Sequence, residues 1–224
     1  MKDSGKRLKS ILAIAAFIAI TISAIMFNCD IYRIIPLYIS LVVMFLQMRA
    51  SRISFLLGGC NAIYYAAVYF YLKLYGIALY SLLVAFPIQI ITYIRWKKRA
   101  YAHTTILIRL KNITRFIWVS GFMAVWLALY YLLYNLGSEY IILDNSAAVI
   151  GTAANLASLL YLIEFPYIQS VTHVINIILN AQLISNDPKQ WTYLIYYFYA
   201  LACAIISAVY MQRLYNKQKA ERIE

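Results

Sequence analysis

The chain has 224 residues, of which 64% are hydrophobic and 12% charged, with a mean hydropathy of +0.73 and a formal net charge of +12. A water-soluble domain of this length cannot hide so much apolar surface, and the charged share is about half the ~25% usual in soluble domains. Apart from a basic loop after Arg95, the segments between apolar runs are too short for a soluble catalytic domain. The basic residues flank those runs, which argues for the lipid bilayer and against nucleic acid as the partner.

The first run, 10–28, follows a basic tail. It is long for a signal-peptide core and ends in "MFNCD" with no A-x-A-like cleavage site, so it is read as a membrane span. Spans at 33–49, 53–73 and 76–96 follow, the last two separated only by "LKLYG", a turn closed by Gly76. After the basic loop come 113–135 and 144–165. The latter meets 166–184 at "EFPY", where Pro166 suits a helix start. The dense turn signal "SNDPKQ" then leads to 190–212. Each run reaches or approaches the about 20 residues that cross a bilayer. The fold class expected is an all-α integral membrane protein, a single transmembrane domain of about eight helices.

Eight spans put both termini on one side. That side collects Lys2, Lys6, Arg7 and Lys9, then Arg49, Arg52, the Arg95–Arg115 loop and the C-terminal Arg213, Lys217, Lys219 and Arg222. Only Arg33, Lys73 and Lys189 fall opposite, with Asp30, Glu139, Asp144 and Asp187. This bias places both termini in the cytoplasm, across a cell (inner) membrane. Cys29, Cys60 and Cys203 are widely spaced and read as small apolar fillers; no metal and no cofactor is expected.

A shift of 115 residues lays the second to fourth spans on the sixth to eighth, so that Asn61 meets Asn176 and Thr92 meets Ser207. Three spans (33–96), one linker (113–135) and three more (144–212) make a 3+1+3 core with two like-oriented triplets, behind the extra helix at 10–28. A solute would lie between the triplets near the midplane.

The polar residues inside the spans are few. Asn61, Tyr64, Tyr65, Val68 and Tyr69 share one helix face by their 3–4 spacing, as do Gln89, Tyr93 and Trp96, and Gln169, His173 and Asn176. Asn155 sits midway along the sixth span, and Tyr196, Tyr197 and Tyr199 on the eighth. Amides also join membrane helices, and Trp96 beside Lys97 and Lys98 has the setting of an interfacial anchor. His173 reads equally as a functional group or a packing residue. The repetition of amides with aromatics selects Asn61, Tyr65, Gln89, Tyr93, Trp96, Asn155, Gln169, His173 and Asn176 as candidate substrate-binding residues. Such a cleft suits a flat, hydroxylated, neutral or cationic ring, and with no intramembrane Lys or Arg it suits an unphosphorylated one. Pro87 removes an amide donor and marks a hinge, with Gln89 and Tyr93 facing the cleft and Trp96 closing its cytoplasmic end. No phosphate loop, zinc motif, serine elbow or carboxylate pair is present, so no catalytic residue is assigned.

Asn61, "LYG" at Leu74-Tyr75-Gly76, Gln89, Tyr93 and Trp96 resemble the PnuC family of vitamin-precursor transporters. That family's first W-x-x-W motif falls on Tyr93 and Trp96, and its second aromatic pair on Pro166 and Gln169. Asp144 and Glu164 match its acidic positions, Asn155 stands where Gln is common, and His173 where an amide or acid is usual. The resemblance spans roughly 34–212. It implies a SWEET-like core and facilitated diffusion of nicotinamide riboside, trapped by a separate cytosolic kinase; relatives carry thiamine, riboflavin or deoxyribonucleosides. Two other readings stay open: a membrane-embedded enzyme with His173 as base, and an assembly subunit. Self-association into a homo-oligomer is left open.

Overall fold

The computed structural model describes residues 2–101 and 104–221, with backbone only for 2–8. Arg222 and the side chains of Lys2, Lys6 and Arg7, used above to set the topology, lie outside the described residues. Eight long helices form among the described residues: α1 (Lys2–Met26), α2 (Ile31–Gln47), α3 (Ile53–Tyr71), α4 (Tyr75–Lys98), α5 (Asn112–Asn135), α6 (Ile141–Leu159), α7 (Phe165–Leu183) and α8 (Gln190–Ala220). Five of these, α1, α3, α4, α5 and α8, are long and apolar enough to cross a membrane. The shorter or more polar α2, α6 and α7 pack among them.

All eight expected spans become helices, and the ends differ for local reasons. α8 runs on to Ala220 and α1 starts at Lys2, because a helix can leave the bilayer without breaking. α6 stops at Leu159, short of the expected 165, because Tyr161 turns left-handed at φ 61°. α1, α2, α3 and α5 end the same way, with Asn28, Ala50, Lys73 and Gly137 at positive φ. In each, the next amide reaches back to the last full turn, as Ser51 N–H does to Leu46 O at 3.1 Å. This closes the orphan carbonyls of a helix end.

The basic loop is not loose. Strand β1 (Ala100–Tyr101) pairs antiparallel with β2 (Thr104–Thr105). Gln218 of α8 then holds the loop, accepting from Leu107 N–H at 2.9 Å and donating to Thr105 O at 3.0 Å. Ile108 bridges Leu162 in the α6–α7 turn.

α2, α3 and α4 pack in sequence, and so do α6, α7 and α8. Between these triplets α2 lies against α8 and α4 against α6, while α3 and α7 do not pack on each other. The centre is therefore left open between the two middle helices. α1 covers α2 and α8, and α5 rides outside, with Leu133 its one buried residue.

Asp144 joins the triplets. Fully buried, it accepts from Gly76 N–H and Ile77 N–H at 2.9 Å each, and from Ser138 Oγ at 3.0 Å. It thereby caps the start of α4 from α6. A Cβ on Gly76 would stand 3.0 Å from the Asp144 carboxylate, so the glycine of "LYG" permits this approach.

Candidate functional site

The open centre is a cavity of about 170 Å³. Its wall comes from α2 (Ser40, Gln47), α3 (Asn61, Tyr65, Tyr69), α4 (Tyr80, Ser81, Gln89), α7 (Gln169, His173, Asn176) and α8 (Tyr196, Tyr197). Among the described residues, no Asp, Glu, Lys or Arg lines it.

Six of the nine residues selected from sequence meet here: Asn61, Tyr65, Gln89, Gln169, His173 and Asn176. The other three do not. Trp96 is 1% exposed in a cluster with Phe55 and Phe165, its Nε1–H bonded to Ser158 O at 2.8 Å. Tyr93 packs against the same cluster, at the basic end of the bundle. Neither lines the cavity: Gln89, Tyr93 and Trp96 keep one face of the regular helical segment Phe86–Lys98, but Trp96 lies about 10 Å further along it, past the basic end of the cavity. Asn155 stands one layer behind the wall and donates to the hydroxyl of Tyr80. Tyr64, placed by spacing on the Asn61 face, is 50% exposed on the outer surface.

Tyr80 is the main residue missed. It lies nine residues before Gln89, which on a regular helix is about 180° away, the opposite face. The π-helical turn Tyr80–Ala85 takes up one extra residue and turns that half of α4 by about 100°. Tyr80 and Gln89 then share the cavity. Pro87 stands just beyond this turn, at the second position of the α-helical segment that follows. The expected kink is thus a change of helix type one turn earlier, where the lost amide donor is absorbed. Gly151 makes room, since a Cβ there would sit 2.9 Å from the Tyr80 ring. Gln47 and Ser40 of α2 were missed because neither has an aromatic or a second amide at the 3–4 spacing that marks a face.

Amide orientation is fixed by neighbours. Asn61 donates through Nδ2 to Pro36 O at 2.9 Å and Ser40 Oγ at 2.8 Å, which leaves Oδ1 to the cavity. Gln169 donates to Gln47 Oε1 at 2.8 Å. Five buried polar atoms on this wall have no hydrogen-bond partner among the described residues: Asn61 Oδ1, Gln89 Oε1, Gln169 Oε1 and both ring nitrogens of His173. An unmet buried polar group costs about 1–3 kcal/mol, so their convergence is an expense that a bound polar solute would relieve. A Cβ on Gly58 would fall 2.1 Å from Gln89 Oε1, so that glycine is the seat of the Gln89 amide.

The cavity is closed at both ends by contacts between triplets. At the basic end Gln47 of α2 meets Gln169 of α7, above the Trp96 cluster. At the other end Tyr69 of α3 and Tyr197 of α8 share a hydroxyl contact of 2.7 Å, with Tyr65 stacked on Tyr69 at 5.4 Å. Beyond them an ionic latch joins the start of α2 to the α7–α8 turn, with Arg33 bonded to Asp187 and Lys189 to Asp30 at 2.8 Å. Lys73 pairs with Glu139 at 3.2 Å, so all three cations on this side have carboxylate partners. Partial burial alone would raise the Asp187 pKa, but Arg33 and the Lys189 N–H outweigh it and hold the carboxyl below its ordinary value. The hydrogen bond from Lys189 likewise lowers that of Asp30.

No curated protein matches the sequence significantly. The fold is similar to the crystal structure of the vitamin B3 transporter PnuC, with a TM-score of 0.78 over 92% of each chain at 19% sequence identity. The family model of the nicotinamide mononucleotide transporter matches residues 30–212, from the α2 start into α8. The chain is therefore a multi-pass membrane protein that belongs to the nicotinamide mononucleotide transporter family, a family of transporters and not of enzymes.

Proposed function

We propose that the chain is a facilitated-diffusion transporter for an unphosphorylated, nucleoside-like vitamin precursor, with nicotinamide riboside the best fit. One observation carries this reading: five unpartnered polar atoms converge on one uncharged, tyrosine-walled cavity. Carbonyl oxygens of Asn61, Gln89 and Gln169 suit ribose hydroxyls and a carboxamide N–H. Tyrosine faces suit a flat cationic pyridinium, by about 0.5–2 kcal/mol for each good contact. A phosphate needs a cation or a nest of amide N–H groups, and this wall has no cation. The riboside therefore fits better than the mononucleotide for which the family is named.

The cavity also lacks a carboxylate for proton or sodium coupling, which favours downhill transport, with accumulation left to a cytosolic kinase. At about 170 Å³ it is smaller than the about 300–1,000 Å³ of open ligand pockets. Loading requires the triplets to part. In this reading they rock about the bound ring, releasing the Gln47–Gln169 contact on the cytoplasmic side or the Tyr69–Tyr197 contact and latch on the other. The basic bias sets the orientation, with both termini cytoplasmic in the inner membrane.

The test is uptake of radiolabelled nicotinamide riboside, nicotinamide mononucleotide, thiamine, riboflavin and deoxyribonucleosides into proteoliposomes. The riboside should equilibrate without accumulating and without response to an imposed proton gradient. Preference for the mononucleotide, or uphill accumulation driven by protons, would overturn the proposal.

A further inference from the structure

The linker helix α5 is pinned to α6 and to the α6–α7 turn at separated points. At the basic end Arg115 pairs with Glu164 of the α6–α7 turn at 2.7 Å. Near mid-membrane Trp126 Nε1–H donates to Ser146 Oγ at 3.1 Å, and Asn145 Nδ2 donates to Trp126 O at 2.7 Å. Between these pins α5 stands off, leaving an outward-facing wedge of about 880 Å³. Its walls are apolar, with Trp118, Phe122 and Met123 on α5 facing Val149, Ile150 and Ile168.

From Arg115 to Trp126 is eleven residues, about 16 Å of helix rise. That is half of the about 30 Å hydrocarbon core, the depth of one leaflet. The mouth is charged. Arg109 and Arg115 stand on its rim, and Lys111 is exposed beside them. Among the described residues Glu164 is the single acid there; it pairs with Arg115 through Oε1, while Arg115 Nε and Glu164 Oε2 have no partner among them. The rim keeps a net positive charge at headgroup level. A second copy of the chain would be expected to cover α5 along its exposed length, from Phe116 to Tyr134. The wedge spans only the basic half.

We propose that this wedge is a binding site for an anionic glycerophospholipid of the leaflet on the basic side. One acyl chain lies between α5 and the α6–α7 pair, and the phosphate lies at Arg109 and Arg115. The depth of the wedge selects a leaflet lipid, and the rim charge selects an anionic one. The site is separate from the central cavity, and its test does not depend on what the cavity carries.

The experiment is native mass spectrometry of the full-length protein released from vesicles of equimolar phosphatidylglycerol and phosphatidylcholine with matched chains. Phosphatidylglycerol should be retained in preference. Arg109→Gln should cut that preference about fivefold, the effect of one basic residue near a membrane surface. Val119→Trp and Met123→Trp, which fill the wedge from a lipid-exposed helix and leave the ion pair intact, should each lower retention of both lipids. Equal retention of the two lipids by the unmodified protein would overturn the proposal. So would retention unaffected by either tryptophan, or disulfide-linked dimers of a Val119→Cys variant, which would put a second chain in the wedge.

Discussion

Gly58→Ala separates a seat from a contact. The new Cβ would lie 2.1 Å from Gln89 Oε1, 3.2 Å from its Cδ and 3.6 Å from Val43 Cγ1. Only the amide is too close, and it is the free end of a flexible side chain. To regain ordinary packing distance it must swing by about 1 Å or more, off its seat on Gly58. One solute hydrogen bond of about 1 kcal/mol is then lost, which weakens binding about fivefold. The helix itself gains, because Ala is favoured over Gly in a helix interior by up to about 1 kcal/mol. Calorimetric titration of nicotinamide riboside and thermal unfolding should therefore move in opposite senses, with Kd raised and Tm held or raised. Gln89→Leu should give a similar loss, and the double variant little more than either single one. Unchanged affinity in Gly58→Ala, or full additivity in the double variant, would refute the assignment of Gln89 as a solute ligand seated by this glycine.

Other outcomes follow from the same geometry. Trp96→Ala should destabilise the fold by about 3–5 kcal/mol and leave solute affinity in the surviving folded protein within about twofold; a larger affinity loss would put Trp96 back at the solute. Asp144→Ala strips a partner from two backbone N–H groups and the Ser138 hydroxyl. It should cost about 3 kcal/mol or more, read as a lowered Tm. Asp187→Asn removes the carboxylate held by Arg33 and should loosen the latch by about 1–3 kcal/mol. Cys29, bonded to Thr192 Oγ1 at 3.3 Å beside that latch, would report this through faster labelling by an impermeant maleimide. The Asp187 pKa is depressed below 3.8, so its contribution is complete above that value and lost as pH falls through the depressed one. Because the thiolate is the reacting species, labelling is compared with the variant at the same pH; the ratio of the two rates should be flat from pH 5 to 8 and approach one only in stronger acid.

Much of this was legible from residue order. The spans emerge because an apolar run of bilayer length has one low-energy state, and the turns because "LKLYG", "EFPY" and "SNDPKQ" cannot continue a helix. Asn61, Gln89, Gln169, His173 and Asn176 stood out because a polar side chain in hydrocarbon needs a reason. What failed was extrapolation along α4. A constant 3.6-residue period carries the Gln89 face away from Tyr80, and the π-helical turn breaks that period. In the other direction the face does run through Tyr93 to Trp96, but past the end of the cavity. Asn155 was found for the right property in the wrong layer, since its amide positions Tyr80. The seats at Gly58 and Gly151 left no trace in polarity or spacing, because what each supplies is the lack of an atom.

The π-helical turn also bears on how this chain should be aligned with relatives. Excising any one residue between Ser81 and Ala85 would leave hydropathy and span length almost unchanged. It would restore an unbroken α-helix and point Tyr80 at the opposite wall, leaving the Asn155 amide without its hydroxyl. A gap opened or closed within those residues therefore changes which side chains meet the solute. Relatives that differ there by a single insertion line their chambers with different residues, however alike the flanking motifs look.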